Sequence, residues 1–179
     1  MPGKPIDNAY EQRQRAKNET LGLEMLSRLE TQGRAILDAA AAIERDESAQ
    51  SFLNYRNFRS RLGEFDSFCN VIETQLSRIA GDRHGELESL FRKRRAMIFR
   101  PAIAALNAFF ARLADGGALP FGLADVLNSE LSAIEDIREI VTTPGAIDAS
   151  DAGIIADIDR LEATVKSLGD RALGFADFA

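Results

Sequence analysis

The sequence has few of the residues from which catalytic and metal sites are built. Its 179 residues include one cysteine, one histidine and no tryptophan. A lone cysteine excludes an internal disulfide and a zinc site made of several thiolates. Glycine-rich phosphate loops, a serine-nucleophile elbow, a P-loop lysine and inward Glu-x-x-His pairs are also missing from the sequence. We therefore expect no catalytic residue of a familiar kind, no metal and no cofactor.

The two single residues both favour a structural role. His84 falls in the first turn of a predicted helix, whereas the histidine of a phosphotransfer bundle is exposed in the middle of one. Cys69 falls within an apolar seam, where a cysteine packs as a small hydrophobe and is not activated as a nucleophile.

Long hydrophobic runs are scarce as well. The first residues lack the apolar core of a secretory signal peptide. The most apolar stretch, residues 97–114, is interrupted by Arg100, Asn107 and Arg112, which argues against a membrane span. The single cysteine suits a reducing compartment. We therefore expect a cytoplasmic protein with no membrane partner.

Charge is distributed unevenly along the chain. Residues 1–114 hold 18 Lys+Arg and 15 Asp+Glu, a net of +3, while residues 115–179 hold 4 and 13, a net of −9; the two sum to the overall −6. A negative total disfavours a general nucleic-acid binder, although the distribution matters more than the sum. One part of the molecule is thus predicted to be acidic and another mildly basic.

An unbroken apolar seam in the second quarter of the chain is the clearest structural pattern. Its members follow one another at alternating steps of three and four, as in the heptads of a coiled coil. They are Tyr55, Phe58, Leu62, Phe65, Cys69, Ile72, Leu76 and Ile79. The pattern predicts a long helix with one packed face over about residues 49–80.

Capping residues, glycines and prolines divide the rest of the chain into further helices. We predict helices over about 8–46, 83–114, 123–141 and 150–168, with Gly169 ending the last and Pro101 kinking the third near Met97. Short connections favour antiparallel neighbours. The predicted fold is all-α: an elongated antiparallel bundle of three long helices plus a shorter C-terminal helical hairpin. Residues 1–179 form one domain, with a flexible tail over 1–7 and a docked apolar tail over 169–179.

The sequence contains one basic cluster, which we call by that name throughout. Its members are Arg92, Lys93, Arg94, Arg95 and Arg100. Adjacent residues on a helix point in directions 100° apart, so these side chains spread around most of the circumference. The first half of the third helix is therefore predicted to lie at the periphery, and its apolar second half to be buried. The basic cluster is either a solvated, salt-bridged face or a surface for an anionic partner.

The C-terminal hairpin carries most of the acidic side chains. They are Glu130, Glu135, Asp136, Glu139, Asp157, Asp159 and Glu162. The simplest interpretation is a solvated acidic face. The alternative interpretation is that this face pairs with a basic partner or with the chain's own basic cluster.

The function that these patterns favour is a non-enzymatic protein–protein interaction module, such as an adaptor, a chaperone or an assembly regulator, with self-association as one form of it. Two other hypotheses stay open. One is a regulator that contacts nucleic acid through the basic cluster, which salt-sensitive retention of DNA or RNA would support. The other is an enzyme with an Arg/Glu site hidden in the sequence, which a deep polar pocket with convergent Arg and Glu would support.

Overall fold

The computed structural model describes residues 5–45, 51–79, 82–116, 123–143 and 153–176. Five α-helices account for nearly all of them, and no strand occurs within these ranges. They are α1 (Pro5–Arg45), α2 (Ser51–Leu76), α3 (Asp82–Asp115), α4 (Leu123–Thr142) and α5 (Gly153–Ala176). The helices pack against one another, which confirms the predicted all-α bundle.

The helices form a three-helix body with a hairpin on its side. Helix α1 packs along both α2 and α3, α5 packs on α3, and α4 packs on α5. The Asn107 side-chain amide in α3 donates to the main-chain carbonyl of Asp157 in α5 at 3.0 Å, which fixes the hairpin along the second half of α3.

The predicted apolar seam of α2 is buried along its whole length, with each of its eight residues at most 6 % exposed. The facing stripe of α1 includes Gly33, where the close approach of α3 leaves no room for a side chain. A Cβ at Gly33 would lie 2.9 Å from the Cδ1 atom of Ile98 and 4.0 Å from the Phe65 ring. Within the seam, burial raises the pKa of the Cys69 thiol to about 12, so the cysteine is a structural residue as predicted.

The second half of α3 is the most deeply buried helical segment of the bundle, also as predicted. Its core residues are Ala102, Ile103, Ala105, Leu106, Phe109 and Phe110. Helix α3 is long and apolar enough to cross a membrane by length and composition alone, despite its interrupting polar residues. The core helix of a bundle has the same length and composition, and part of α3 is buried among its neighbours.

Basic side chains from neighbouring helices bind the carbonyl groups at three helix C-termini. Arg112 in α3 donates to the carbonyl of Ile43 at the end of α1 at 2.6 Å. The Nδ1 atom of His84 lies 2.9 Å from the Leu76 carbonyl at the end of α2. Arg171 in α5 donates to the Ala114 carbonyl at the end of α3 at 2.8 Å. The two arginine contacts satisfy carbonyls that their helices leave unpaired, and positive charge there is favourable to the helix dipole.

Two predicted helix ends were wrong. Helix α2 stops at Leu76 because its last backbone bonds tighten to a three-residue spacing, from Arg78 to Gln75 and from Ile79 to Leu76. Helix α5 does not stop at Gly169 but continues to Ala176. An interior glycine costs a helix only about 1 kcal/mol, and the Arg171 contact at the end of α3 holds the turn beyond it.

The other boundaries lie close to the predicted ones. Helix α1 begins at Pro5, which suits the first turn of a helix because its missing N–H has no partner to lose there. Residues 1–4 lie outside the described ranges, as do the side chains of Leu173, Phe175 and Phe178 in the predicted docked tail. Helix α3 runs through Pro101 without interruption.

The burial of the α2 seam predicts a large difference between core and surface substitutions. Phe65 is 2 % exposed, so Phe65→Ala should lower the free energy of unfolding by about 3–5 kcal/mol, the usual cost of truncating a buried aromatic ring. Arg61 is exposed one turn away, and Arg61→Ala should change it by less than about 0.5 kcal/mol. Urea denaturation of both variants measures the difference, and equal effects would contradict this packing.

Candidate functional site

A cleft of about 630 Å³ opens between α2, α3 and the C-terminal part of α4. Residues 66–77 at the end of α2 form one side, residues 84–99 of α3 form the floor, and residues 136–143 at the end of α4 form the other side. We call it the acidic cleft. It lies against the exposed side of the first half of α3, whose opposite side packs on α1.

Arg95 lies at the floor of the acidic cleft and is held from several directions. Its terminal nitrogens contact Asp66 at 3.0 Å and Glu73 at 2.7 Å, both from α2. Its guanidinium carbon stands 5.9 Å and 6.0 Å from the ring centres of Phe91 and Phe99, in cation–π geometry. The Arg95 side chain is only 12 % exposed. A charge with so little access to water requires partners of opposite sign, and the two carboxylates supply them. Arg95 thus ties α3 to α2.

A second group of charges lies beside the connection between α2 and α3. Arg92 pairs with Glu88 at 2.5 Å, one turn earlier in α3. The Nε2 atom of His84 lies 3.6 Å from the other oxygen of Glu88, while its Nδ1 atom contacts the end of α2. His84 is therefore a link between α2 and α3, consistent with a structural role.

The acidic cleft carries excess negative charge. Five carboxylates line it against two guanidinium groups, and Asp136 and Glu139 on α4 add to the three that already pair with Arg92 and Arg95. Helix α4 also ends here, so its C-terminal carbonyls contribute partial negative charge to the same space. Apolar side chains alternate with the carboxylates, namely Leu76, Phe91, Phe99, Ile140 and Val141. Four of these five side chains are at most 5 % exposed and Ile140 is half-buried, so the cleft has an acidic surface over an apolar floor.

The basic cluster does not form one surface. Arg94 turns toward α1, where it donates to the Leu26 carbonyl at 2.5 Å and contacts Glu30 at 3.2 Å. Arg92 and Arg95 point into the acidic cleft. Lys93 and Arg100 are exposed. Arg92, Arg94 and Arg95 thus pair with carboxylates of their own chain, which is the salt-bridged arrangement, and the first half of α3 lies at the periphery as predicted.

The acidic residues of the hairpin have divided roles. Arg138 of α4 joins Asp159 at 2.7 Å and Glu162 at 2.6 Å, and so ties α4 to α5. Lys166 and Arg138 hold the pKa of Glu162 below its usual value. Asp136 and Glu139 face the acidic cleft, whereas Glu135 is exposed elsewhere on α4.

Glu130 is the exception, because it is buried at 2 % exposure. Its Oε1 atom accepts the Tyr55 hydroxyl at 2.5 Å and pairs with the Arg59 Nε at 2.5 Å, so it joins α4 to α2. We call these three residues the carboxylate clasp. Burial raises the pKa of Glu130, and Arg59 only partly offsets it. Burial and the neighbouring carboxylate also raise the pKa of Tyr55.

The predicted solvated acidic face was wrong for Glu130, although the spacing of apolar residues in α4 indicates its burial. Apolar residues recur at Leu123, Leu127, Ile134 and Ile137, and position 130 falls on the same stripe. A glutamate on a buried stripe requires a partner. The clasp itself cannot act on a substrate, since its groups are buried against one another.

Two further searches, for metal-binding groups among the described residues and for similar proteins, found nothing that bears on function. No group of three or more His, Cys, Asp or Glu side chains able to hold a metal ion occurs within the described ranges. No family model, curated protein or solved structure matches the chain.

The carboxylate clasp predicts a pH-dependent stability. Because the folded state binds the Glu130 proton more tightly than the unfolded chain does, wild-type stability relative to Glu130→Gln should fall as the pH rises from about 4.3 through the folded pKa. The loss should be about 1.4 kcal/mol for each unit by which the pKa is raised. Urea unfolding between about pH 4 and pH 8 measures it.

Glu135→Gln is the matched control, because Glu135 is exposed on the same helix. Its stability should run parallel to that of the wild type at all pH values. Parallel curves for Glu130→Gln as well would show that Glu130 is not the source of the dependence.

Proposed function

We propose that the protein is a non-enzymatic interaction module that receives a cationic, amphipathic helix of another chain in the acidic cleft. The observation that carries this proposal is the combination of surplus exposed carboxylates with an apolar floor in one cleft. A simple cation would be bound by the carboxylates alone, and a purely apolar ligand would leave the carboxylates without partners. A helix with basic and apolar residues on one face matches both.

The dimensions of the acidic cleft suit a helix of about four turns. Its floor follows α3 from His84 to Phe99, which is about 22 Å at 1.5 Å per residue. The cleft runs along the groove between α2 and α3, and a helix that lies in such a groove packs as a further member of the bundle. Asp136 and Glu139 would face its basic side chains, and Ile140 its apolar ones.

The two other hypotheses draw less support from the described residues. The cleft does bring Arg and Glu together, as an enzyme with an Arg/Glu site requires. Arg92 and Arg95 are already paired with carboxylates, and the imidazole of His84 already contacts a carbonyl, so these groups serve the fold. A phosphate backbone would meet an excess of negative charge in the cleft.

Adaptor, chaperone and assembly roles all use binding of this kind, and the proposed setting is the cytoplasm. Among them, the acidic cleft favours those in which the bound chain is basic. The choice of partner then depends on charge as well as on apolar contact, because opposite charges select partners and like charges reject them.

A synthetic helical peptide with lysine and leucine on one face provides a direct test. Isothermal titration calorimetry should show binding to the wild type, and about tenfold weaker binding to the double variant Asp136→Lys with Glu139→Lys. Both residues are exposed on the cleft side of α4, so the variant should fold normally. Binding should also weaken as salt is added.

The matched control is Asp125→Lys with Glu135→Lys, which makes the same change in charge on α4 outside the cleft. It should bind the lysine–leucine peptide like the wild type. A peptide with glutamate in place of lysine should bind neither this control variant nor the wild type. Equal losses in both double variants would mean that net charge, and not the cleft, governs binding, and would overturn the proposal.

A further inference from the structure

We propose that the helix received by the acidic cleft is residues 5–21 of α1 from a second copy of this chain, so that two chains exchange these segments. We call residues 5–21 the N-terminal extension. This inference rests on the proposed function and names its partner.

The N-terminal extension projects beyond the body of the bundle. Gly22 is where α1 meets its neighbours, since a Cβ there would lie 3.2 Å from the Cδ1 atom of Ile79 and 3.6 Å from that of Leu87. These two residues flank the connection between α2 and α3. Residues 10–17 of α1 are all exposed. Residues 18 and 19 are half-buried beside the first turns of α3, so helix α1 continues past the end of α2 and α3 over residues 5–17, which is about 20 Å.

One face of the N-terminal extension is cationic and carries an aromatic ring, although residues 5–21 as a whole hold three basic and three acidic residues and have no net charge. Tyr10, Arg13 and Lys17 lie within an arc of about 60° at 100° per residue, and all three are exposed, Tyr10 at 66 %. The face thus offers an aromatic ring and two cations side by side. The Tyr10 hydroxyl accepts a hydrogen bond from the Gln14 side chain at 3.2 Å, which holds the ring along the helix.

Continuing the buried stripe of α1 toward the N-terminus leads to Glu19 and Arg15, and not to this face. The buried residues of α1 lie at Leu26, Leu29 and Gly33, roughly 130° around the helix from Tyr10 and Lys17. The Tyr10 face therefore does not extend the contacts that α1 makes within its own bundle. It is available to a surface from a different direction.

The positions of the two surfaces favour an exchange between copies. Ser77 and His84 line the acidic cleft and lie beside the same α2–α3 connection from which the N-terminal extension projects. The extension and the cleft floor also have similar lengths. A two-fold axis near this end of the bundle would place each extension along the cleft of the other chain, with Arg13 and Lys17 facing Asp136 and Glu139. Such an arrangement is closed and uses the same two surfaces twice.

A charge exchange between two variants of the full-length chain tests this arrangement. The first variant is Arg13→Glu with Lys17→Glu, and the second is Asp136→Lys with Glu139→Lys. Sedimentation equilibrium should show a salt-sensitive wild-type dimer with a dissociation constant of about 1–100 µM. Each variant alone should dimerise about tenfold or more weakly, because each would bring like charges together.

An equimolar mixture of the two variants should restore dimerisation. The reversed extension of the first chain would meet the reversed cleft of the second, and the unchanged extension of the second would meet the unchanged cleft of the first. If the two variants dimerised weakly only because they were less stable, mixing them would not restore dimerisation. A control, Arg28→Glu with Arg61→Glu, reverses two exposed charges outside both surfaces and should dimerise like the wild type.

The outcomes separate this inference from the proposed function. A wild type that stays monomeric, or a dimer that the Arg13→Glu with Lys17→Glu variant leaves intact, would overturn the inference. If the lysine–leucine peptide still binds and the cleft variant abolishes that binding, the proposed function survives with a different partner. If the peptide does not bind and no dimer forms, both fail. Failure of the mixture to recover also overturns the exchange.

Discussion

The burial of the second half of α3 is the constraint on which the rest of the structure depends. Its residues pack against α1, α2 and α5 at once, as with Phe109, which stacks on the Tyr55 ring with centres 4.3 Å apart. The space around this segment is therefore filled. The first half of α3 has no such surround, and α4 ends beside it. The acidic cleft exists because the hairpin covers only one part of a helix that is longer than the hairpin.

Arginine side chains hold this arrangement together at several points, and in doing so they lose their availability for other partners. Arg112 and Arg171 bind carbonyl groups at helix ends, and Arg94 binds the Leu26 carbonyl within α1. A guanidinium group suits such contacts because its planar set of donors can reach two acceptors at once. The positive charge that the sequence concentrates in α3 is thus largely used inside the molecule, which leaves the carboxylates of the acidic cleft as the dominant exposed charge there.

The fold could be predicted from the sequence further than the site could. The α2 seam and the buried half of α3 follow from the spacing of apolar residues, since burial of such stripes determines how helices pack. The end of α5 did not follow, because Gly169 ends a helix only where no tertiary contact continues it. The fate of Arg94 and Arg95 also required the structure. Long side chains reach partners on other helices, and neighbours such as Glu30 and Glu73 are remote in sequence.

The burial of Cys69 determines how its thiol reacts with oxidants and alkylating reagents. The thiolate is the form of cysteine that oxidants and alkylating reagents attack, and a buried thiol with a pKa of about 12 has almost none of it near neutral pH. Chemical modification of Cys69 must therefore wait until α2 separates from its neighbours. Where a thiol reagent labels the opened chain faster than the chain recloses, the labelling rate equals the rate of transient opening, so this single residue makes the motions of the bundle core measurable without an engineered label.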